Sequence, residues 1–553
     1  MHHNNNLKTS ANHITASAPT AEVVCSHIAY NQTGFFSKTV TDYLSGQPGL
    51  QQFYTHAPNL QGIKDAIAQR QHIAYNRNVL MQQLTSQYHG LPLAEKLEAN
   101  LQLLLQNNTY TVTTAHQPNI FTGPLYFVYK ILHAIQLADS LHQQLPDYNF
   151  VPVYYMGSED ADLDELGTIT INGKKYTWQT KQTGAVGRMK IDKPFLSLIT
   201  EMEGQLGVLP YGKEIAAKFR QAYKEKQTIQ QASLELINDL FGHYGLVILV
   251  PDNAKLKELF IPVIEKELTE QFSYKAVTQT LQQLEQHGYK VQAGGRELNL
   301  FYLTEDKRER IERQGNDYAV NNLGLTFTQQ EILAELRQHP ERFSPNVILR
   351  GALQETLLPN IAFIGGGGEL AYWLELKGVF QAAEVPYPVL ILRNSFLLVP
   401  AELKKKTESI GITLADLFEH DHELMNKIVT QRSNKPVGLN GQLSKVGELY
   451  DGIMDVAVNI DASLHDHVMA LRKKALQRLE ELEKKMLRAE KRKFGTEKER
   501  IEKIKAVLFP NNNLQERVEN LAGFYAVYGE GLIDLLLENS LTLEQQFSIL
   551  VLS

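Results

Sequence analysis

Cysteine occurs once in the 553 residues, at Cys25. A single thiol excludes an intrachain disulfide and a zinc site built from several thiolates, and it fits a reducing compartment. Cys25 itself is open to two readings, a nucleophile or a buried, inert thiol. Thiol chemistry by such a chain would bring its sulfur in with a substrate. Long apolar runs are also missing, since none approaches the roughly 18 residues needed to span a bilayer. The start, Met1-His2-His3-Asn4, lacks the charged-then-apolar pattern of a signal peptide. His2 and His3 read as part of that start rather than as a metal site. The expectation is a soluble, cytoplasmic protein with no membrane partner. Charge of one sign is scarce as well. A net charge of −7 gives no sign of a protein built around nucleic-acid phosphates.

What is present is an ordinary globular composition, 43% hydrophobic, in a chain too long for one core, so two to four structural units are expected. Apolar strands are predicted at Tyr110–Ala115, Phe150–Met156, Leu246–Val250, Ile361–Ile364 and Val389–Leu392. Amphipathic helices separate them. After the first strand, Pro124 suits the first helical turn, and Leu125, Val128, Leu132 and Ile135 supply a buried face. This alternation predicts an α/β fold, a doubly wound parallel sheet of Rossmann-like, nucleotidyltransferase type. Core segments are expected at 20–166, 231–274 and 344–400. Two connecting insertions interrupt them. The first, 167–230, carries a hairpin signal at Asn172-Gly173. The second, 275–343, mixes a helix (Val277–His287) with strand-like Leu298–Thr304. Both are expected to hang from the core.

Beyond about residue 400 the pattern becomes helical. Leu464, Val468, Leu471, Ala475, Leu479, Leu482 and Met486 form a stripe at threes and fours, with Glu480/Lys484 and Glu481/Lys485 in the favourable order. Phe494, Ile501, Ile504 and Leu508 continue it on a helix expected to return, with Gly495-Thr496 at the tip. The reading is an antiparallel coiled-coil arm over 401–510, followed by C-terminal helices (511–553) that pack back on the core. The basic run Lys484, Lys485, Arg488, Lys491, Arg492, Lys493 lacks interleaved aromatics and reads as a solvated face, so nucleic acid is not the expected partner.

Three segments fall at carboxyl ends of predicted strands, where open α/β sheets gather ligands. Thr114-Ala115-His116-Gln117-Pro118-Asn119, with Thr122-Gly123-Pro124-Leu125-Tyr126, lies at a helix N-terminus that attracts anions. His116 and Asn119, three apart, resemble in placement the two histidines of the His-x-Gly-His signature of adenylate-forming nucleotidyltransferases. Ser158-Glu159-Asp160-Ala161-Asp162 offers carboxylates to hold an ammonium, bind Mg²⁺ or act as a base, or else to cap a helix. Gly365-Gly366-Gly367-Gly368-Glu369 lets backbone approach a ligand closely. It is neither a dinucleotide fingerprint, because Leu370 takes the sixth position, nor a Walker A loop, because no Lys-Ser/Thr pair follows.

With these residues in view the chain resembles the bacillithiol-biosynthesis cysteine-adding family, BshC. The resemblance rests on His116-Gln117-Pro118, Thr122-Gly123-Pro124-Leu125-Tyr126 and Gly157-Ser158-Glu159-Asp160. It extends over Ser344-Pro345-Asn346-Val347, Arg350, Gln354, Leu358-Pro359 and Gly365-Gly366 to Glu369-Leu370-Ala371-Tyr372-Trp373. It resumes at Leu508-Phe509-Pro510 and Leu514-Gln515-Glu516-Arg517. The first motif departs from the family's commoner form, with His116 in place of glutamine and Asn119 in place of glycine.

The resemblance implies a ligase that adds L-cysteine to the free amine of glucosaminyl-malate, giving an amide, and a homodimer. It also suggests an adenine nucleotide (ATP or ADP), with Mg²⁺ accompanying it, and no resident metal site. His116 and Asn119 are then candidates to stabilise negative charge with backbone N–H groups near Gly123. Glu159 or Asp160 would orient an ammonium or accept the amine's proton. Arg350 and Arg393 suit carboxylates through the guanidinium fork, or structural ion pairs, and Lys377 is a further candidate. Gln117, Tyr126, Ser158, Gln354, Gly365, Gly366, Glu369, Tyr372 and Trp373 complete the expected substrate contacts. Gln515 and Arg517 are candidate nucleotide contacts. Two alternatives stay open: an adenylate-forming ligase for another acid and amine, and a non-enzymatic scaffold or RNA-binding protein using the basic arm.

Overall fold

The computed structural model describes residues 24–433 and 438–553; His2 and His3, and the first residues of the segment 20–166, lie outside the described residues. The five predicted strands are all present, as Thr109–His116, Asn149–Met156, Val247–Leu249, Asn360–Gly365 and Val389–Leu392. They form one parallel sheet in the order 389–392, 360–365, 109–116, 149–156, 247–249. Side chains on both faces are buried, as near-continuous apolar strands require. The chain builds outward from the central strand to one side, then returns to build on the other. The switch therefore falls between Thr109–His116 and Asn360–Gly365, and the crevice at their carboxyl ends is where such a sheet takes a ligand.

Helix Leu125–Gln144 follows the central strand and buries most of its length, including Val128, Ile131, Leu132 and Ile135. Pro124 is not in its first turn; it has extended dihedrals (φ −66°, ψ 156°) and stands at the cap position before Leu125. Its amide, absent in any case, would have had no helical partner at either place.

Thr168–Ile171 and Lys174–Thr177 pair antiparallel around Asn172 (φ 50°) and Gly173 (φ 78°), the left-handed pair that a two-residue hairpin turn needs. In the second insertion, Leu300–Leu303 pairs with both Arg308–Arg310 and Phe343–Pro345. Its helix is not pendant. Phe272–Gln286 packs along the core helix Gly367–Ala382, where Gly378 leaves just enough room for Thr280. It is part of the layer that covers the sheet.

A second sheet gathers distant parts of the chain: Gln546–Leu552 lies parallel to Phe396–Pro400 and antiparallel to Val24–Ala29. The arm is helical as expected, but its hairpin is placed differently. Asn440–Ile460 turns at Asp461–Leu464 and packs along His465–Lys491. Gly495 is right-handed helical (φ −60°, ψ −38°), so Gly495–Leu508 runs on after a short tight turn instead of folding back. Sequence spacing shows which face of a helix is apolar; it does not show which neighbour that face meets.

Candidate active site

A cavity of about 380 Å³ opens at the sheet's switch point. All three motif segments reach it, each delivered by the end of a core strand. Of the expected residues, His116, Gln117, Tyr126, Ser158, Glu159, Asp160, Arg350, Gly366, Glu369, Tyr372, Arg393 and Arg517 line it.

One end of the cavity is acidic. Gln117 Nε2 donates to Asp160 Oδ2 (3.0 Å), and the Ala161 amide donates to Oδ1 (2.7 Å). Glu159 is ion-paired with the buried Lys257, whose Nζ also donates to the Glu341 carbonyl (3.1 Å). Beside them Asp252 receives a two-pronged bond from Arg188 (2.7 and 2.6 Å), which holds its carboxyl below the usual range despite burial. Arg308 closes this end, with Nη1 3.9 Å from Asp160 and its guanidinium over the Phe301 ring.

The other end is basic. Arg350 donates to the Tyr372 hydroxyl (2.9 Å). Arg393 bonds Glu516 (2.7 Å), the Asn394 carbonyl and Ser395 Oγ, which leaves its buried Nε with no partner. That Nε faces the glycine turn, 3.5 Å from where a Cβ on Gly366 would stand. Gly367–Ala382 begins there, with Gly366 at the cap and its amide bonded to Glu369 Oε2 (2.8 Å). Arg517 lies at the rim, its guanidinium held below its usual basicity chiefly by partial burial. A helix N-terminus with several guanidinium groups is a receptor for carboxylate or phosphate.

His116 stands between the two ends, against the Tyr126 and Phe127 rings, with Nε2 3.4 Å from the Tyr126 hydroxyl. Burial first, then the nearby Lys130, Arg350 and Arg393 charges, push the imidazole well below its ordinary range. It is therefore neutral near pH 7, able to accept a proton.

Several expected residues are not on the wall. Asn119 is buried against Gly123, whose φ of +65° and missing Cβ allow that contact. The Gly123 and Phe121 carbonyls are held by Asn520, and the positive φ of Phe121 and Thr122 turns the segment away from His116. Asn119 and Gly123 thus shape the turn and do not pair with His116. Lys377 donates to the Gln52 and Tyr54 carbonyls (2.8 and 2.9 Å), tying an N-terminal segment to the core. Trp373 stacks on Phe363 inside the core. Gln354 bonds the buried Glu355, and Gln515 exchanges bonds with the Leu398 backbone. Gly365, the last strand residue, also lies behind the wall.

Sequence reasoning missed Lys130, Tyr155, Glu165, Arg308 and Asn346, all of which line the cavity. Lys130 carried a signal: it is a lysine in a run whose neighbours Val128, Tyr129, Ile131 and Leu132 are apolar, and lysine is seldom buried without a partner. Arg308 carried none, because an insertion brings it in. Among the described residues no group of three or more His, Cys, Asp or Glu side chains is placed to hold a metal ion, and no helix is long and apolar enough to cross a membrane.

Fold and site together define a Rossmann-like α/β protein with a helical arm and a cavity at the sheet's switch point lined by both carboxylates and guanidinium groups. Comparison with known proteins narrows the class to a family. Residues 23–394 match the bacillithiol biosynthesis BshC N-terminal Rossmann-like domain, and residues 396–552 match the BshC C-terminal coiled-coil domain. The BshC protein of Flavobacterium johnsoniae is 39% identical over 95% of this chain and 99% of its own length. That of Christiangramia forsetii is 40% identical over 95% and 98%, and that of Flavobacterium psychrophilum 38% identical over 95% and 98%. All three are named as cysteine ligases. The chain belongs to the BshC family of bacillithiol biosynthesis and is an enzyme of the ligase class.

Proposed function

We propose that this enzyme joins the carboxyl group of L-cysteine to the free amine of glucosaminyl-malate, forming the amide in the last step of bacillithiol synthesis, and that it works in the cytoplasm as a homodimer. The observation that carries the reading is the two-ended cavity at the switch point. An acceptor with two carboxylates and one amine matches a site with guanidinium groups at one end and carboxylates at the other.

In this reading Arg350, the Arg393 Nε and the Gly367 and Gly368 backbone receive the malate carboxylates, a fit of planar forks and helix N–H groups to anions. Asp160 and Glu159 draw the amine end toward the opposite wall. Attack on the cysteinyl carbonyl makes the amine nitrogen shed a proton, and the neutral His116 is the group within the cavity suited to take it. Glu159 serves less well as the base, because Lys257 already holds its carboxylate.

Amide formation from a free carboxylate in water needs activation, and an adenine nucleotide with its Mg²⁺ would supply it by converting the carboxyl oxygen into a leaving group. Arg517, at the cavity rim, fits a phosphate as well as a carboxylate, so it would hold the nucleotide's anionic part.

Mass spectrometry of the protein incubated with cysteine and glucosaminyl-malate, with and without ATP and Mg²⁺, tests the proposal. The expected result is the cysteinyl amide, formed only when nucleotide is present. Consumption of ATP with a different amino acid and no cysteinyl amide would assign the site to another acid–amine pair.

A further inference from the structure

Lys130 lies on the first crossover helix, Leu125–Gln144, and its side chain spans the switch point. Its Nζ donates to the Ala115 carbonyl (2.9 Å), the peptide immediately before His116. The same nitrogen is ion-paired with Glu369 Oε2, and that oxygen caps the Gly366 amide. One ammonium thus links the end of the central strand to the first turn of the glycine-rich helix. The side chain is 2% exposed. A lysine that far from water persists only where partners take its protons, and here the partners belong to two different motif segments.

We propose that Lys130 is a positioning residue: it holds the His116 backbone and the glycine turn in one register, and it supplies the fixed positive charge behind His116. This rests on the functional reading only in naming His116 as the base; the structural coupling stands without it.

The charged and titratable groups around the imidazole divide by element. Tyr126 and Lys130 face it from the crossover helix; Arg350 comes from Val347–Leu357, and Arg393 from the turn after Val389–Leu392. Glu369 sits behind Lys130, and Glu159 and Asp160 occupy the far wall. Three cations therefore act on His116, and Lys130 is the one whose backbone bond also fixes where His116 stands. Its charge disfavours imidazolium, so His116 stays neutral and ready to accept a proton at pH values where an ordinary histidine would be partly charged.

Lys130→Met keeps the length of the side chain and removes the charge; Lys130→Arg keeps the charge. The test is proton NMR titration of the histidines in the unliganded protein, with His116 assigned by its loss in His116→Gln. The expected result is a His116 midpoint that rises by about one pH unit or more in Lys130→Met and stays near wild type in Lys130→Arg. The acid limb of the amide-forming rate should rise with it, roughly tenfold less activity one unit below the new midpoint. Lys130→Gln, which also removes the charge but can still donate to the Ala115 carbonyl, should raise the midpoint likewise; it keeps the proposal testable should Lys130→Met fail to fold. A folded Lys130→Met or Lys130→Gln with the wild-type midpoint overturns the proposal. Because the titration needs no substrate, an absent amide product would count against the functional reading alone.

Discussion

Arg393 illustrates how one side chain can serve structure and site at once. Its fork is spent on the fully buried Glu516 and the neighbouring backbone, and the nitrogen that remains faces the cavity. Arg393→Met should therefore do more than weaken substrate binding. It strands a buried carboxylate, a change that typically costs about 3–5 kcal/mol, and urea denaturation should show it, whereas loss of a purely substrate-facing arginine would leave the midpoint unchanged. A second residue-scale prediction concerns pH. Glu375 is buried and accepts from the Gln292 and Ala293 amides (2.7 and 2.8 Å), yet burial outweighs those bonds and pushes its carboxyl up to about 7. The folded protein then holds this proton more tightly than the unfolded chain does. The stabilisation is complete below the ordinary carboxylate range and is lost as pH rises through about 7. Melting temperature should fall between about pH 4.5 and 7, and Glu375→Gln should make that slope shallower; an unchanged slope would contradict the assignment.

At the scale of elements, the core strands and the helix after the first of them were legible because burial on both faces writes itself as unbroken apolar runs. The hairpin at Asn172-Gly173 was legible because only a left-handed pair makes that turn. What escaped depends on long-range partners. Gln546–Leu552, expected within the C-terminal helices, is instead a strand, because Val24–Ala29 and Phe396–Pro400 lie beside it and supply its ladder bonds. The arm's true hairpin depends on Asn440–Ile460, whose outward stripe Leu449, Ile453, Val456 and Ile460 is 61%, 43%, 64% and 77% exposed. Spaced by fours and threes, these side chains make one unburied helical face, and the proposed homodimer would cover it with a second copy. Leu449→Glu with Val456→Glu should shift the mass in solution from dimer to monomer by light scattering, with the core's catalysis retained. A dimer that survives both substitutions would place the contact elsewhere.

Over the whole molecule, the three motif segments were readable as site material because each stands at a strand's carboxyl end, and the order of strands around the switch explains why they meet. Their individual roles were less readable. Lys377 has the right chemistry but is turned to backbone carbonyls, Asn119 packs against Gly123 instead of facing the cavity, and Lys130 and Arg308 arrive from a helix interior and an insertion that sequence alone does not fold onto the site. The acceptor's negative end is the part of the account most exposed to test, since Arg350 faces the cavity with a single bond to Tyr372. The measurement is kcat/KM for glucosaminyl-malate in cysteinyl-amide formation, wild type against a folded Arg350→Met, at saturating cysteine and nucleotide. The account predicts amide product from the wild type and a fall of roughly 100-fold in the variant, the loss expected for a charged bond made to a buried anion. Equal efficiency in the two proteins, or no amide from the wild type, would contradict it.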